Sequence, residues 1–257
     1  KQKTAYEIRP RDWSSDVCSS DLPPVLQYSV NPDVLPLFAT VTGCTSRCSG
    51  PLTIPSTTSF GGGPVPVTEI AEGALGTSTC YVGTAAPEEC AFTTLTIPST
   101  VTVIDDFGAI PTITSITVSA SNTHFASYDG VLYSLGETGV AVVRYPPGKV
   151  SASARYAIPE TVRGQAVTSI DDSAFEGTLA AGVTVPATVT SVGRQAFASA
   201  SLTGVYFYGD APDATVASFP ATGIFKAYYI EGKAGWPWEL TIPLGTWDGG
   251  GGGGGGD

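Results

Sequence analysis

The hexapeptide Leu-Thr-Ile-Pro-Ser-Thr occurs at Leu52 and again at Leu95, and Tyr-Ala-Ile-Pro-Glu-Thr and Val-Thr-Val-Pro-Ala-Thr follow at Tyr156 and Val183. Each copy precedes a second short apolar element that opens on Val-Thr, at 67–75, 101–109, 167–175 and 189–197. Such self-similarity constrains a fold more tightly than any local propensity. One unit of about twenty-two residues cannot bury both of its apolar faces. Stacked units share one continuous core, so the repeat predicts a solenoid.

Alternation along each strand assigns the two faces. Leu202, Val205 and Phe207 fall on the buried side, as do Ile113, Ile116 and Val118. Thr117 and Tyr206 point outward, with Thr53, Thr96, Ala157 and Thr184 at the matching places. Pro55, Pro98, Pro159 and Pro186 close their strands, because proline has no N–H to give a ladder. Phe175 and Phe197 are expected as plugs beneath the turn that ends each unit, with Leu75 in that place in the first unit.

Low charge with abundant Thr, Val, Gly and Pro fits short strands and tight turns. A net charge of −11 repels phosphate backbones, which argues against a nucleic-acid partner. No run of eighteen or more apolar residues is present, so no membrane span is expected within this fragment. Phosphate loops, dinucleotide fingerprints and H-E-x-x-H are absent, and no cofactor is expected.

The two ends read differently from the rest. Residues 1–22, which include the stretch RDWSSDVCSSDL, resemble a translated sequencing-library adapter and are expected to be an adapter-derived, disordered artefact. Residues 247–257 form a Gly-rich tail, a flexible linker or the matching artefact. The solenoid is assigned to 23–246 after both ends are set aside. The chain contains no Met, which reads as a fragment of a longer frame. Without Cys18 in the adapter-like segment, four cysteines remain: Cys44, Cys48, Cys80 and Cys90. Their even number suggests disulfides in an oxidising compartment, with local pairing Cys44–Cys48 and Cys80–Cys90 preferred over a Cys48–Cys80 crosslink. The rival readings are free buried thiols and a zinc site, although close C-x-x-C pairs are missing.

The repeat resembles the BspA-type leucine-rich repeat family, whose units read roughly I-P-x-x-V-T-x-I-G-x-x-A-F and then x-x-L-x-x-V. Residues 185–207, VPATVTSVGRQAFASASLTGVYF, fit this pattern nearly throughout, and the resemblance covers roughly 27–238. Residues 122–134 and 142–148 resemble the hairpin insert often found in such arrays. In the first unit TSFGGGPVP lengthens the turn and TSTCYVGTAAPEEC is an insertion. The resemblance implies a β-rich α/β solenoid: a leucine-rich-repeat stack of short strands with short turns or helices, closed by an aromatic C-terminal cap.

Clusters with catalytic chemistry are few. Asp105-Asp106 and Asp171-Asp172 recur at one repeat position, as a calcium ladder, as an acid/base pair or, more simply, as caps of the short helix carrying Ala-Phe. The last unit has Gly193 at that place, which suits a cap or turn better than a ligand. His124, Ser127 and Asp129 share one short stretch, whereas a nucleophilic triad converges from separate segments. Glu88 and Glu89 read as a solvated loop tip. Tyr206, Tyr208, Tyr228, Tyr229, Trp236 and Trp238 thicken toward the C-terminus, either as an end cap or as an exposed contact surface.

The resemblance implies a non-catalytic adhesion or binding module, extracellular or at the cell surface, with an unknown protein or glycan ligand. Its candidate face comprises Thr53, Thr96, Thr117, Arg155, Thr184, Tyr206 and Tyr208. The alternatives are a carbohydrate-binding accessory module of a larger enzyme and a structural spacer. A row of exposed rings would favour sugar, a mixed polar and aromatic patch a protein, and fully buried rings a spacer.

Overall fold

The computed structural model describes residues 26–44, 49–75, 91–106, 110–150, 155–198, 201–220, 225–236 and 244–248. Short strands dominate. In chain order they are β1 (Leu26–Val30), β2 (Ala39–Cys44), β3 (Ser49–Thr53), β4 (Thr57–Phe60), β5 (Gly63–Ile70), β6 (Ala91–Ile97), β7 (Val103–Ile104), β8 (Ser115–Val118), β9 (Phe125–Tyr128) and β10 (Val131–Leu135). There follow β11 (Val140–Arg144), β12 (Arg155–Ala157), β13 (Thr161–Val162), β14 (Gln165–Ile170), β15 (Gly182–Val185), β16 (Ser191–Val192), β17 (Gly204–Phe207), β18 (Lys226–Ile230) and β19 (Leu244–Trp247). The only helical element among the described residues is the 3-10 turn Val216–Ser218.

Strands one unit apart pair in parallel, as stacked repeats must. One ladder runs β3–β6–β8 and resumes as β12–β15–β17–β18–β19. The other pairs β2 with β5 and β5 with β7, and then β11 with β14 and β14 with β16. Between the two halves the segment resembling an insert forms β9 and β10, an antiparallel hairpin turned by Asp129 and Gly130 at φ 48 and 72. Positive φ at both turn residues matches the right-handed twist of the flanking strands. The Gly130 carbonyl accepts the N–H of Ile116 at 2.8 Å, so the hairpin tip takes the ladder position beyond β8. The long turn of the first unit is a second hairpin, β4–β5, turned by Gly61 and Gly62.

The core follows the expected alternation. Leu202, Val205, Phe207, Ile113, Ile116 and Val118 are all buried. Phe175, Phe197 and Leu75 are fully enclosed. The plugs form a spine of rings: Tyr145 to Phe175 at 5.4 Å, Phe175 to Phe197 at 5.4 Å and Phe197 to Phe219 at 5.8 Å, each pair stacked within 25°. The backbone follows the same path. Tyr145 N–H donates to Ala174 C=O, Phe175 to Ala196 and Phe197 to Ser218. Tyr145 and Phe219 are thus plugs as well, though neither follows Ala as Phe175 and Phe197 do.

Threonine joins unit to unit in a second way. The N–H and hydroxyl of Thr114 both donate to Thr93 C=O, those of Thr190 to Thr168 C=O, and those of Thr203 to Ala181 C=O. The abundance of Thr thereby has a structural cause beyond strand propensity.

The sequence pattern predicts a short helix with Asp caps before the plug, and the structure differs there. Gly73, Ser173 and Gln195 occupy one repeat position and take φ of 65, 55 and 55, so the chain makes a turn with a left-handed residue, not a helix. The Asp172 carboxylate accordingly caps no helix of its own. It accepts the N–H of Arg194 in the next unit at 2.7 Å. Gly193 is glycine because a Cβ there would lie 2.6 Å from Asp172 N and 2.7 Å from Asp171 C.

Candidate binding face

The outward rows are in register. Thr53 lies opposite Thr96, and Thr96 opposite Thr117. In the C-terminal ladder one row runs Ala157, Thr184, Tyr206, Tyr228, Gly245, and the neighbouring row runs Arg155, Gly182, Gly204, Lys226. The first candidate residues therefore form a threonine panel on β3, β6 and β8. Arg155, Thr184, Tyr206 and Tyr208 belong to a second panel on β12 to β19.

The second panel is a stack. The Arg155 guanidinium carbon lies 3.8 Å from the Tyr206 ring centroid, and the Tyr206 and Tyr228 rings stack at 4.5 Å and 3°. Lys226 Nζ lies 5.4 Å from the Tyr228 centroid. Glycine makes the floor on which these groups lie. A Cβ on Gly182 would meet the Arg155 stem at 2.9 Å, one on Gly204 the Tyr206 and Tyr228 rings at 3.1 and 3.2 Å, and one on Gly245 the Lys226 stem at 2.7 Å. Trp247 closes the other side, edge-on to Tyr206 at 5.4 Å and to Tyr208 at 4.8 Å. Its indole Nε1 is buried without an acceptor among the described residues. Burial pushes the Tyr206 phenol above its ordinary pKa, the Arg155 charge pulls it partly back, and Tyr228 raises it again.

The C-terminal aromatic residues divide between cap and surface. Trp236 belongs to the cap: it stacks on Tyr229 at 4.9 Å, packs on Phe207 at 5.3 Å, and donates its indole N–H to Gly209 C=O. Tyr206, Tyr208, Tyr228 and Trp247 belong to the outward panel. Lys226 and Trp247 join the face although neither was among its sequence candidates. Lys226 is legible in retrospect, since it stands one unit after Gly204. Trp247, assigned from sequence to the Gly-rich tail, instead ends β19. Its place beside glycines hid it.

The groups with catalytic or ligating potential are engaged separately. Ser127 Oγ accepts Val118 N–H, Asp129 pairs with Lys149 at 3.2 Å, and His124 Nδ1 lies 3.1 Å from the Thr123 hydroxyl. The three do not converge as a triad. Asp105, Asp106, Asp171, Asp172 and Asp213 line a cleft at the turns of the second ladder, around Arg144, whose Nη1 donates to Ser173 C=O. Burial, and then the Asp172 charge, raise the Asp171 pKa. No group of three or more possible metal ligands occurs among the described residues. Tyr133 and Tyr156 share a buried hydroxyl–hydroxyl bond of 2.8 Å, and desolvation raises both phenols far above their usual range. The side chains of Cys44, Cys48, Cys80 and Cys90 lie outside the described residues, as do Glu88, Glu89, Trp238, segment 1–22 and the glycine run. No helix among the described residues is long and apolar enough to cross a membrane.

In-register parallel ladders, a spine of plugs and a left-handed turn before Leu75, Phe175 and Phe197 define a solenoid of short-strand repeats. Residues 156–223 match the family described as BspA type leucine rich repeat region (6 copies), so this segment carries BspA-type repeats. No curated protein matches the chain. Among solved structures, it is similar to a leucine-rich cell surface protein from Faecalibacterium prausnitzii, with 16% identity, 86% of this chain and 89% of that chain covered, and a TM-score of 0.41. It is also similar to a leucine-rich repeat protein from Bacteroides capillosus, with 23% identity, 48% and 99% covered, and a TM-score of 0.36. A third is the leucine-rich repeat protein of T. pallidum, with 16% identity, 79% and 68% covered, and a TM-score of 0.33.

Proposed function

We propose that this protein is a non-catalytic binding module, displayed outside the cell or on its surface, that holds a protein ligand against the outward face of its ladders. The observation that carries this reading is the C-terminal panel, where a guanidinium, two phenols and an ammonium are fixed side by side on a glycine floor. Such a mixture of polar and aromatic groups suits a protein contact, because Tyr, Trp and Arg are enriched at protein interfaces and among their hot spots. A sugar ligand is less well served. One face of Tyr206 is covered by Arg155 and the other by Tyr228, so neither is open to a pyranose ring. The match to BspA-type repeats supports the surface location.

The test is retention of the purified protein on immobilised fibronectin, laminin, collagen and mucin, beside a glycan array. Thr96→Arg with Thr184→Arg should abolish retention on a protein surface, and the control Glu176→Gln at an exposed turn should not. Retention that ignores the face variant, or binding only to glycans, would overturn the reading.

A further inference from the structure

We infer that the solenoid is two cooperatively folded bodies joined at residues 119–125, and that the Arg163 side chain is the strap that couples them. Strand pairing divides the chain at that joint. The two sheets that hold β1 to β8 include no later strand, and the two that hold β9 to β19 include no earlier one. The core divides at the same place. One cluster of buried side chains runs from Ala39 to Phe125 and takes in Leu132, and the other runs from Ala126 to Ala227. The β9–β10 hairpin is the plate between them. Alternation turns Phe125 and Leu132 toward the first cluster, and Ala126, Val131 and Tyr133 toward the second. The threonine panel and the tyrosine panel of the outward face therefore sit on different bodies.

In a stacked array, the coupling between neighbours decides whether it opens as one piece or in parts. Elsewhere neighbouring units share parallel ladders. Across this joint the backbone supplies isolated bonds, among them Ile116 N–H to Gly130 C=O at 2.8 Å, Gly148 N–H to Ile113 C=O at 2.9 Å and Val118 N–H to Ser127 Oγ at 3.0 Å. Arg163 adds a charged contact. From the turn between β13 and β14 it donates Nη1 to Asn122 C=O, and Nη2 to Ser119 C=O at 3.1 Å. A guanidinium fork holds two carbonyls at once, and hydrogen bonds to charged groups contribute more than neutral ones. The strap lands where the first body is fastened to the hairpin. Asn122 is buried; its Nδ2 donates to Pro98 C=O and Val101 C=O, and its Oδ1 accepts the N–H groups of His124 and Phe125, all at 2.8 Å. The backbone of Arg163 has φ 51, a left-handed conformation that glycine adopts at less cost. An arginine at that position carries local strain, which the strap offsets.

The test is hydrogen exchange followed by mass spectrometry on the full chain, across a urea series. Arg163→Gly removes the strap and relieves the left-handed backbone. It should speed exchange over 113–125 by at least about tenfold, as expected when bonds from a charged donor are lost. It should also make the slowest amides of β2 to β8 and those of β10 to β17 exchange in two steps, at different urea concentrations. Gln195→Gly relieves a left-handed backbone of φ 55 at another exposed turn and should change neither readout. Arg163→Lys, which keeps the charge but loses the fork, is the milder variant and should loosen 113–125 in the same direction. Unchanged exchange over 113–125, a change confined to 161–166, or an equal effect of Gln195→Gly would overturn the strap. A single step shared by both bodies in Arg163→Gly would overturn the division into two.

Discussion

Replacing Phe197 with Ala removes the middle of the ring spine. Phe197 has no exposed surface and stacks on Phe175 at 5.4 Å and Phe219 at 5.8 Å. A fully buried Phe→Ala change costs about 3–5 kcal/mol, counting lost transfer energy and the cavity left behind. Within that sum the two ring pairs account for about 1–3 kcal/mol, at roughly 0.5–1.5 each. Phe197→Leu should therefore cost about 1–3 kcal/mol, since Leu75 fills the same repeat position with no exposed surface. In a one-dimensional stack each unit touches only its neighbours, so the damage should stay local. Urea unfolding gives the magnitudes, and hydrogen exchange followed by mass spectrometry gives their location. Residues 183–230 should lose protection in Phe197→Ala while 91–135 keep theirs. Unchanged protection over 183–230 would refute the spine as a source of stability and the repeat register with it.

Gly193→Ala should destabilise by about 1–3 kcal/mol, because its Cβ meets the Asp171–Asp172 backbone of the preceding unit, whereas Gly182→Ala meets only a flexible Arg155 stem and should cost less; thermal melts would rank the two. Asp171 has a raised folded-state pKa, so its ionisation in the fold opposes stability at neutral pH. Asp171→Asn should raise the urea midpoint at pH 7, and this gain should vanish below the unfolded-state value near about 4. Thr203→Val removes one hydroxyl donor from the Ala181 carbonyl and should cost about 0.5–1 kcal/mol in the same assay. Peptide mapping without reduction should recover Cys44–Cys48 and Cys80–Cys90, and a Cys48–Cys80 crosslink would refute local pairing.

The ladders and the core were legible because they follow from periodicity alone. A strand's alternation places Val205 inward and Tyr206 outward wherever neighbouring units supply the matching residues, and they do. The turn before the plug was not legible in the same way. Asp-Asp-Ser before Ala-Phe has the composition of a helix start, and only a left-handed Ser173 separates the turn from that reading. The unit-to-unit bonds of Thr114, Thr190 and Thr203 were not legible, since a hydroxyl that reaches a carbonyl about one unit back leaves no local trace. The face was half legible. Alternation selects Tyr206, but the stacking of Arg155 on its ring spans two strands and depends on the absent side chains of Gly182 and Gly204.

The spacing of equivalent rings varies with depth. On the outward surface Tyr206 and Tyr228 are 4.5 Å apart, and in the spine Phe197 and Phe219, from the corresponding pair of units, are 5.8 Å apart. The outward rings stand at about the spacing of the strands that carry them, whereas the plugs stand farther apart than that spacing. A partner lying across the ladder therefore meets side chains of successive units at about strand spacing.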